Sequence, residues 1–292
     1  MVVCLLFMIE VDYCELKNGL KIAYHALGDK KNPTLLFVHG LASYKGVWYA
    51  NAQELKQHFH CILLDLPGSG ESSRGEYPYH LDFFSNTLVQ FIKELKLREV
   101  TWVGHSMGGQ ICLHAALHYP MYVKHMILFS PAGFEYYLPN EASLFKSAII
   151  LGDFMNMDEL HISNAINSSF YQSSAYSKTM IEHLHGYIRN NDRRLYRLMM
   201  ERCMNAMLDE QLFPKLRNIP HETLVFFGEN DMLIPNRFLH PVSTLEIAER
   251  AVNEMPEAML KTYTQCGHYV MVEKAPEVNR EIKRWLLNLT SH

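Results

Sequence analysis

The chain has little charge of either sign in excess: 27 Lys and Arg face 31 Asp and Glu across 292 residues, a formal net charge of −4. So weak a field gathers neither nucleic acid nor an anionic membrane, and neither is an expected partner. A C-x-x-C pair and an H-E-x-x-H pattern are both missing, which removes the usual zinc and dithiol chemistries. Gly68-Ser69-Gly70 lacks the Lys-Ser/Thr that completes a phosphate-binding loop. No metal and no cofactor is therefore implied. The chain also has no repeat, no low-complexity tract and no linker of disordered composition. Its opening run, Met1 to Ile9, is apolar without a basic n-region or a small-residue cleavage site, and is too short to span a bilayer. It reads as a lead into the first strand, with Met8 as an alternative start.

The six cysteines form no disulfide framework. Cys61 and Cys112 fall inside a predicted strand and helix, Cys4 and Cys14 near the start, Cys203 mid-chain and Cys266 just before Gly267-His268. Reduced, mostly buried thiols in a cytoplasmic protein are expected, and the sequons at Asn167 and Asn288 matter only in a secreted one.

What is present is ordinary globular material, 48% hydrophobic and 20% charged. Glu10 to Lys17 and Leu20 to Ala26 flank Asn18-Gly19, a two-residue hairpin signal, so an antiparallel pair should open the fold. Apolar runs then alternate with helical patterns. Thr34 to Val38, Ile62 to Leu64, Val100 to Val103, Val123 to Phe129, Thr223 to Phe227 and Met259 to Tyr263 read as strands, and Val123 to Phe129 is continuous enough to be a central strand covered on both faces. Leu81, Phe84, Leu88, Phe91, Ile92 and Leu95 recur at helical spacing, and Pro276 to Leu289 marks a terminal helix with proline near its first turn.

One junction carries the chemistry. At Gly104-His105-Ser106-Met107-Gly108 a strand gives way to a helical run, Ile111 to Tyr119, with a serine between two glycines. A nucleophile on so sharp a turn needs small neighbours two before and two after, which Gly104 and Gly108 provide. The turn also aims the first helical amides, starting with Met107, at the site of attack. His39-Gly40-Leu41 ends an earlier strand, and the Leu41 N–H is a second candidate oxyanion donor, with His39 as its orienting neighbour. Later, Gly228-Glu229-Asn230-Asp231 and Gly267-His268 each follow a strand. Glu229 and Asp231 are both candidate acids, and Asp65 reads as a loop residue.

With serine, acid and histidine in that chain order, the sequence resembles the α/β-hydrolase superfamily outside a central insertion. The resemblance implies an α/β fold: a mostly parallel sheet of about eight strands with helices on both faces and an inserted helical cap. Residues 1–133 and 218–292 would form the core and 134–217 the cap. It implies a triad of Ser106, His268 and an ionised Asp231, with Leu41 and Met107 as oxyanion donors and His39, Gly40, Gly104 and Gly108 in support. Water would then resolve an acyl-enzyme.

The insertion reads as helical, with Asp192 of Asn190-Asn191-Asp192 as the N-cap of a second helix. Met155, Met157, Met180, Met199, Met200, Met204 and Met207 either pack it to the core or form an adaptable roof for substrate. His114 with His118, and His183 with His185, lack a third ligand and read as ordinary residues. Arg189, Arg193, Arg194, Arg197 and Arg202 make a solvated basic face, or a dock for an acidic carrier protein as in the methyl-ester esterases this chain resembles. The expected activity is hydrolysis of small to medium apolar carboxylic esters. C–C bond hydrolysis of ring-cleavage products, perhydrolysis and ligand reception without turnover are the alternatives.

Overall fold

The structure is a computed structural model that describes residues 10–151, 159–190 and 192–289. The lead at Met1 to Ile9, together with Cys4, Met155, Met157 and Asn191, lies outside the described residues.

Eight strands form one sheet in the order β1-β2-β4-β3-β5-β6-β7-β8. These are β1 Asp12–Glu15, β2 Lys21–Leu27, β3 Thr34–Val38, β4 His60–Leu64, β5 Thr101–His105, β6 His125–Phe129, β7 Thr223–Gly228 and β8 Ala258–Tyr263. β1 and β2 pair antiparallel, β2 runs antiparallel to β4, and every other pairing is parallel. The interior strands β3, β4, β5 and β7 are buried at every residue. A parallel sheet sheathed by helices demands this, and it is why these segments read as unbroken apolar runs.

The opening hairpin is antiparallel as expected, but its turn is one residue longer than the two-residue signal implies. The Gly19 amide bonds the Leu16 carbonyl at 2.9 Å and the Leu16 amide bonds the Leu20 carbonyl at 2.8 Å. The loop is therefore Lys17–Gly19, with Gly19 at φ 82° in the left-handed position that closes a three-residue loop.

Helices α1 Tyr49–Leu55, α2 Leu81–Glu94 and α3 Met107–His118 follow the early strands. Between β6 and β7 the insertion contributes α4 Pro139–Leu151, α5 Glu159–Ser168, α6 Ala175–Arg189 and α7 Arg193–Asp209. After β7 come α8 Thr244–Glu254, the single turn α9 Val270–Glu273 and α10 Ala275–Leu289. Val278, Ile282 and Leu286 of α10 are buried at helical spacing. A buried amide pair ties α1 to α10: Asn51 donates to Asn279 Oδ1 at 2.9 Å and to the Met271 carbonyl at 3.0 Å.

The Asp192 carboxylate caps α7, accepting the Arg194 amide at 2.8 Å. Two of the basic residues of α7 are spent holding the insertion to the core, Arg194 on Glu76 and Arg202 on the Tyr77 carbonyl. Met180, Met199 and Met200 are buried in the common core. His114 and His118 stack at 4.3 Å, and His114 Nδ1 meets the Ser85 hydroxyl at 2.9 Å. Among the described residues the five cysteines are free and buried, and no helix is long and apolar enough to cross a membrane.

Candidate active site

β5 delivers its last residues to the rim of the sheet, and Ser106 turns the chain into α3. Ser106 has φ 53° and ψ −120°, a left-handed backbone in a residue with a Cβ. Such strain persists only where surroundings enforce it. Here the Ser106 amide bonds the Phe129 carbonyl at 3.0 Å, and its carbonyl accepts the amides of Gln110 at 3.1 Å and Ala132 at 3.0 Å. The flanking glycines are required by space. A Cβ on Gly104 would stand 2.6 Å from Cys112 Sγ and from the Gly108 carbonyl oxygen, and one on Gly108 only 2.3 Å from the Val38 carbonyl oxygen.

Asp231 and His268 come from the ends of β7 and β8 and meet directly, with His268 Nδ1 2.7 Å from Asp231 Oδ2. Both are buried, at 0% and 2% exposure. The other carboxylate oxygen accepts the amides of Leu233 at 2.8 Å and Ile234 at 3.1 Å, which fixes its orientation. Glu229, the rival acid, accepts the Thr262 hydroxyl at 3.1 Å and makes no hydrogen bond to His268 among the described residues. His268 sits against the serine turn: its ring centroid is 4.7 Å from that of His105, and its carbonyl is 3.2 Å from His105 Nε2. Among the described residues no hydrogen bond yet joins the Ser106 hydroxyl to His268. Such bonds are commonly long before substrate binds.

The third strand end supplies the loop His39-Gly40-Leu41. A Cβ on Gly40 would lie 3.0 Å from Ser106 Cβ, so this loop passes directly over the serine. His39 Nε2 accepts the Leu66 amide at 3.0 Å, which leaves Nδ1 to donate to the Gly40 carbonyl at 2.7 Å. The geometry thus sets a neutral tautomer, and burial holds the His39 pKa down against the pull of Asp65. Burial does the same more strongly for His105, helped by the neighbouring His268. The amide of Met107, first in α3, has no intrahelical acceptor available, and that of Leu41 has no protein acceptor among the described residues.

Three arrangements have no signature in the sequence. Asp65, fully buried, is paired with Lys45 Nζ at 2.8 Å and accepts the amides of Lys45 and Glu71, which pins the loop beside His39. Glu273 accepts the amides of Gly267 at 2.8 Å and Tyr171 at 2.9 Å, joining the histidine turn to the insertion. His240 lies between Glu135 at 2.6 Å and Glu141 at 3.4 Å, linking the acid loop to α4. The longer of these contacts join residues 20 to 105 apart in the chain, which no local pattern announces.

A family profile of the alpha/beta hydrolase fold matches residues 33–275. The chain belongs to the α/β-hydrolase fold family. It is similar to the uncharacterized hydrolase YugF of Bacillus subtilis, 25% identical over 274 residues that cover 91% of this chain and 94% of that one. It is also 28% identical over 258 residues to a pimeloyl-[acyl-carrier protein] methyl ester esterase of Nitrosospira multiformis, covering 82% of this chain and 88% of the relative. Among solved structures, a putative lipase from Acinetobacter baumannii superposes with a TM-score of 0.83 at 20% identity, over 100% of this chain and 97% of its own. The protein is accordingly a hydrolase by family, and its eight-stranded, mostly parallel sheet is that of the fold.

Proposed function

We propose that this α/β-hydrolase cleaves carboxylic esters with small to medium, mainly apolar acyl groups, through an acyl-enzyme on Ser106. The observation that carries the reading is the 2.7 Å contact between buried His268 and Asp231, beside the strained serine turn. In this mechanism His268 takes the proton of the Ser106 hydroxyl as oxygen attacks the ester carbonyl. Asp231 holds the imidazole with Nδ1 as donor, leaves Nε2 free for the serine, and stabilises the imidazolium that forms. The tetrahedral oxyanion is met by the amides of Leu41 and Met107, each worth roughly 3–4 kcal/mol of barrier in comparable sites. His268 then protonates the departing alcohol, and water repeats the sequence on the acyl-enzyme.

The insertion at 134–217 serves as the cap over this site. Its Arg194 and Arg202 are already engaged by the core, which narrows any basic dock to residues such as the exposed Arg193 and Arg197. A free small-molecule ester is therefore favoured over a carrier-bound one. The free, buried cysteines support a cytoplasmic setting.

A fluorophosphonate probe tests the assignment. Wild-type protein should be labelled at Ser106, and Ser106→Ala should lose the label together with roughly 10⁴- to 10⁶-fold in p-nitrophenyl butyrate turnover. Labelling elsewhere, or retained turnover, would overturn it. A 2-hydroxy-6-oxo-dienoate run beside the ester separates C–C hydrolysis from esterase action.

A further inference from the structure

Beside the loop that carries Leu41 lies a narrow cleft between core and cap. Ser43, Tyr44 and Ser69 line it from the core, and Met180, His183 and Tyr196 from the cap. Two of its hydroxyls, Ser43 Oγ and Tyr196 OH, are buried and have no hydrogen-bond partner among the described residues. Ser43 is 8% and Tyr196 5% exposed. Ser43 stands within reach of the phenol of Tyr269, and Tyr269 immediately follows His268. Folded proteins rarely leave buried hydroxyls unpaired, because water has been removed and nothing has replaced it. The free space at the cleft is ≈10 Å³, enough for about one water-sized atom group.

The surroundings say what kind of group fits. His183 is stacked on Tyr44, with centroids 3.6 Å apart and planes at 12°, and burial keeps its imidazole neutral. The formal charges acting on it, Asp65, Lys45 and Glu71, are paired among themselves, with Lys45 Nζ 2.8 Å from Asp65 and 2.5 Å from Glu71. Met180 and Leu184 supply apolar wall. An ion would gain nothing here, whereas a hydroxyl at the end or branch of an apolar chain would satisfy both protein hydroxyls.

We propose that this cleft is a specificity subsite in which Ser43 Oγ and Tyr196 OH hydrogen-bond an uncharged hydroxyl of the substrate. The identity of the ligand as an ester rests on the function proposed above, while the cleft itself does not involve Ser106. Full seating of a substrate requires the cap helices α6 and α7 to yield, since the present space admits little more than the oxygen. The polar group thus selects among apolar esters by its presence. An analogue with methyl in place of hydroxyl leaves two buried hydroxyls unpaired and is rejected for that reason.

The experiment compares isosteric pairs: 2-hydroxyethyl butyrate against propyl butyrate for the alcohol side, and methyl 6-hydroxyhexanoate against methyl heptanoate for the acyl side. Wild-type kcat/KM should favour the hydroxyl member of at least one pair by about tenfold or more. Tyr196→Phe and Ser43→Ala should each bring that ratio toward one or below. The ratio is internally normalised, so a general loss of activity lowers both members alike and leaves it unchanged. The same pairs are titrated against Ser106→Ala with and without Tyr196→Phe, reading binding by calorimetry, so the result stands even if the wild type hydrolyses no ester. Equal handling of both members by the wild type, in turnover and in binding, would mean that the hydroxyls are served by water and would overturn the proposal. A preference that survives both substitutions would overturn it as well. Failure of p-nitrophenyl ester turnover alone would instead count against the ester-hydrolase reading.

Discussion

His39 accepts the Leu66 amide on Nε2 and donates from Nδ1 to the carbonyl of Gly40, 2.7 Å away. In a trans peptide the carbonyl oxygen and the following amide hydrogen point in opposite directions. By fixing the Gly40 oxygen, His39 therefore sets the direction of the Leu41 N–H, the proposed oxyanion donor. His39→Ala should lower kcat by roughly 10- to 100-fold, less than removing an oxyanion donor outright, with KM changed about twofold or less. Steady-state kinetics on p-nitrophenyl butyrate separate the two parameters. A rise in KM with kcat intact would show that His39 shapes binding and leaves the oxyanion site alone.

The two acids after β7 should behave very differently. Asp231→Asn keeps the shape but gives the imidazole the wrong tautomer, and kcat should drop by about 10³ to 10⁴. Glu229→Gln, which removes a carboxylate that among the described residues meets the Thr262 hydroxyl, should stay within about twofold of wild type. Equal losses would remove the basis for choosing between them.

A pair of glycines gives opposite signs for the same substitution. Gly108→Ala drives a methyl to 2.3 Å from the Val38 carbonyl oxygen, a backbone atom between β3 and the elbow that cannot step aside. It should cost several kcal/mol, on the scale of an overpacked core or worse. Gly186→Ala, inside α6 with nothing within 4 Å of the added Cβ, should stabilise by about 0.5–1 kcal/mol. Urea unfolding of both variants beside wild type reads the two signs.

Acid should unfold the protein through its histidines. Burial lowers the pKa of His39, His60, His105 and His183, and takes that of His114 from the ordinary 6.5 to about 4. Below 6.5 the unfolded chain binds protons at these sites that the folded chain refuses, so stability falls as pH falls from 6.5 toward 4. Above 6.5 both states are neutral at these residues and their contribution is flat. Urea midpoints at pH 7.5, 6.5, 5.5 and 4.5 should show a plateau followed by a steep decline, and His114→Gln should soften the decline.

The elbow was legible in the sequence because its demands are local: a strand, two glycines four apart and a helix all lie within twenty residues. Asp231 was legible too, as the acid of a tight loop after a strand, and so was Asp192 as a cap. Asn18-Gly19 marked the hairpin but overstated how tight it is, since dipeptide identity does not report how the flanking residues pair. The Lys45–Asp65 pair, the His240 bridge and the grouping of Ser43 with Tyr196 were not legible. Each depends on which loops the sheet order places side by side, and no periodicity encodes a contact between residues 20 to 153 apart.

Glu273 grips the amide of Gly267 with one oxygen and that of Tyr171 with the other, and the His268 amide reaches the Ser169 carbonyl at 2.8 Å. At this corner three hydrogen bonds tie the insertion to the turn that carries His268. On the mechanism proposed above, a swing of the α5–α6 connection to admit a bulky ester would tug on the anchorage of the His268 imidazole and so couple admission of substrate to the position of the base.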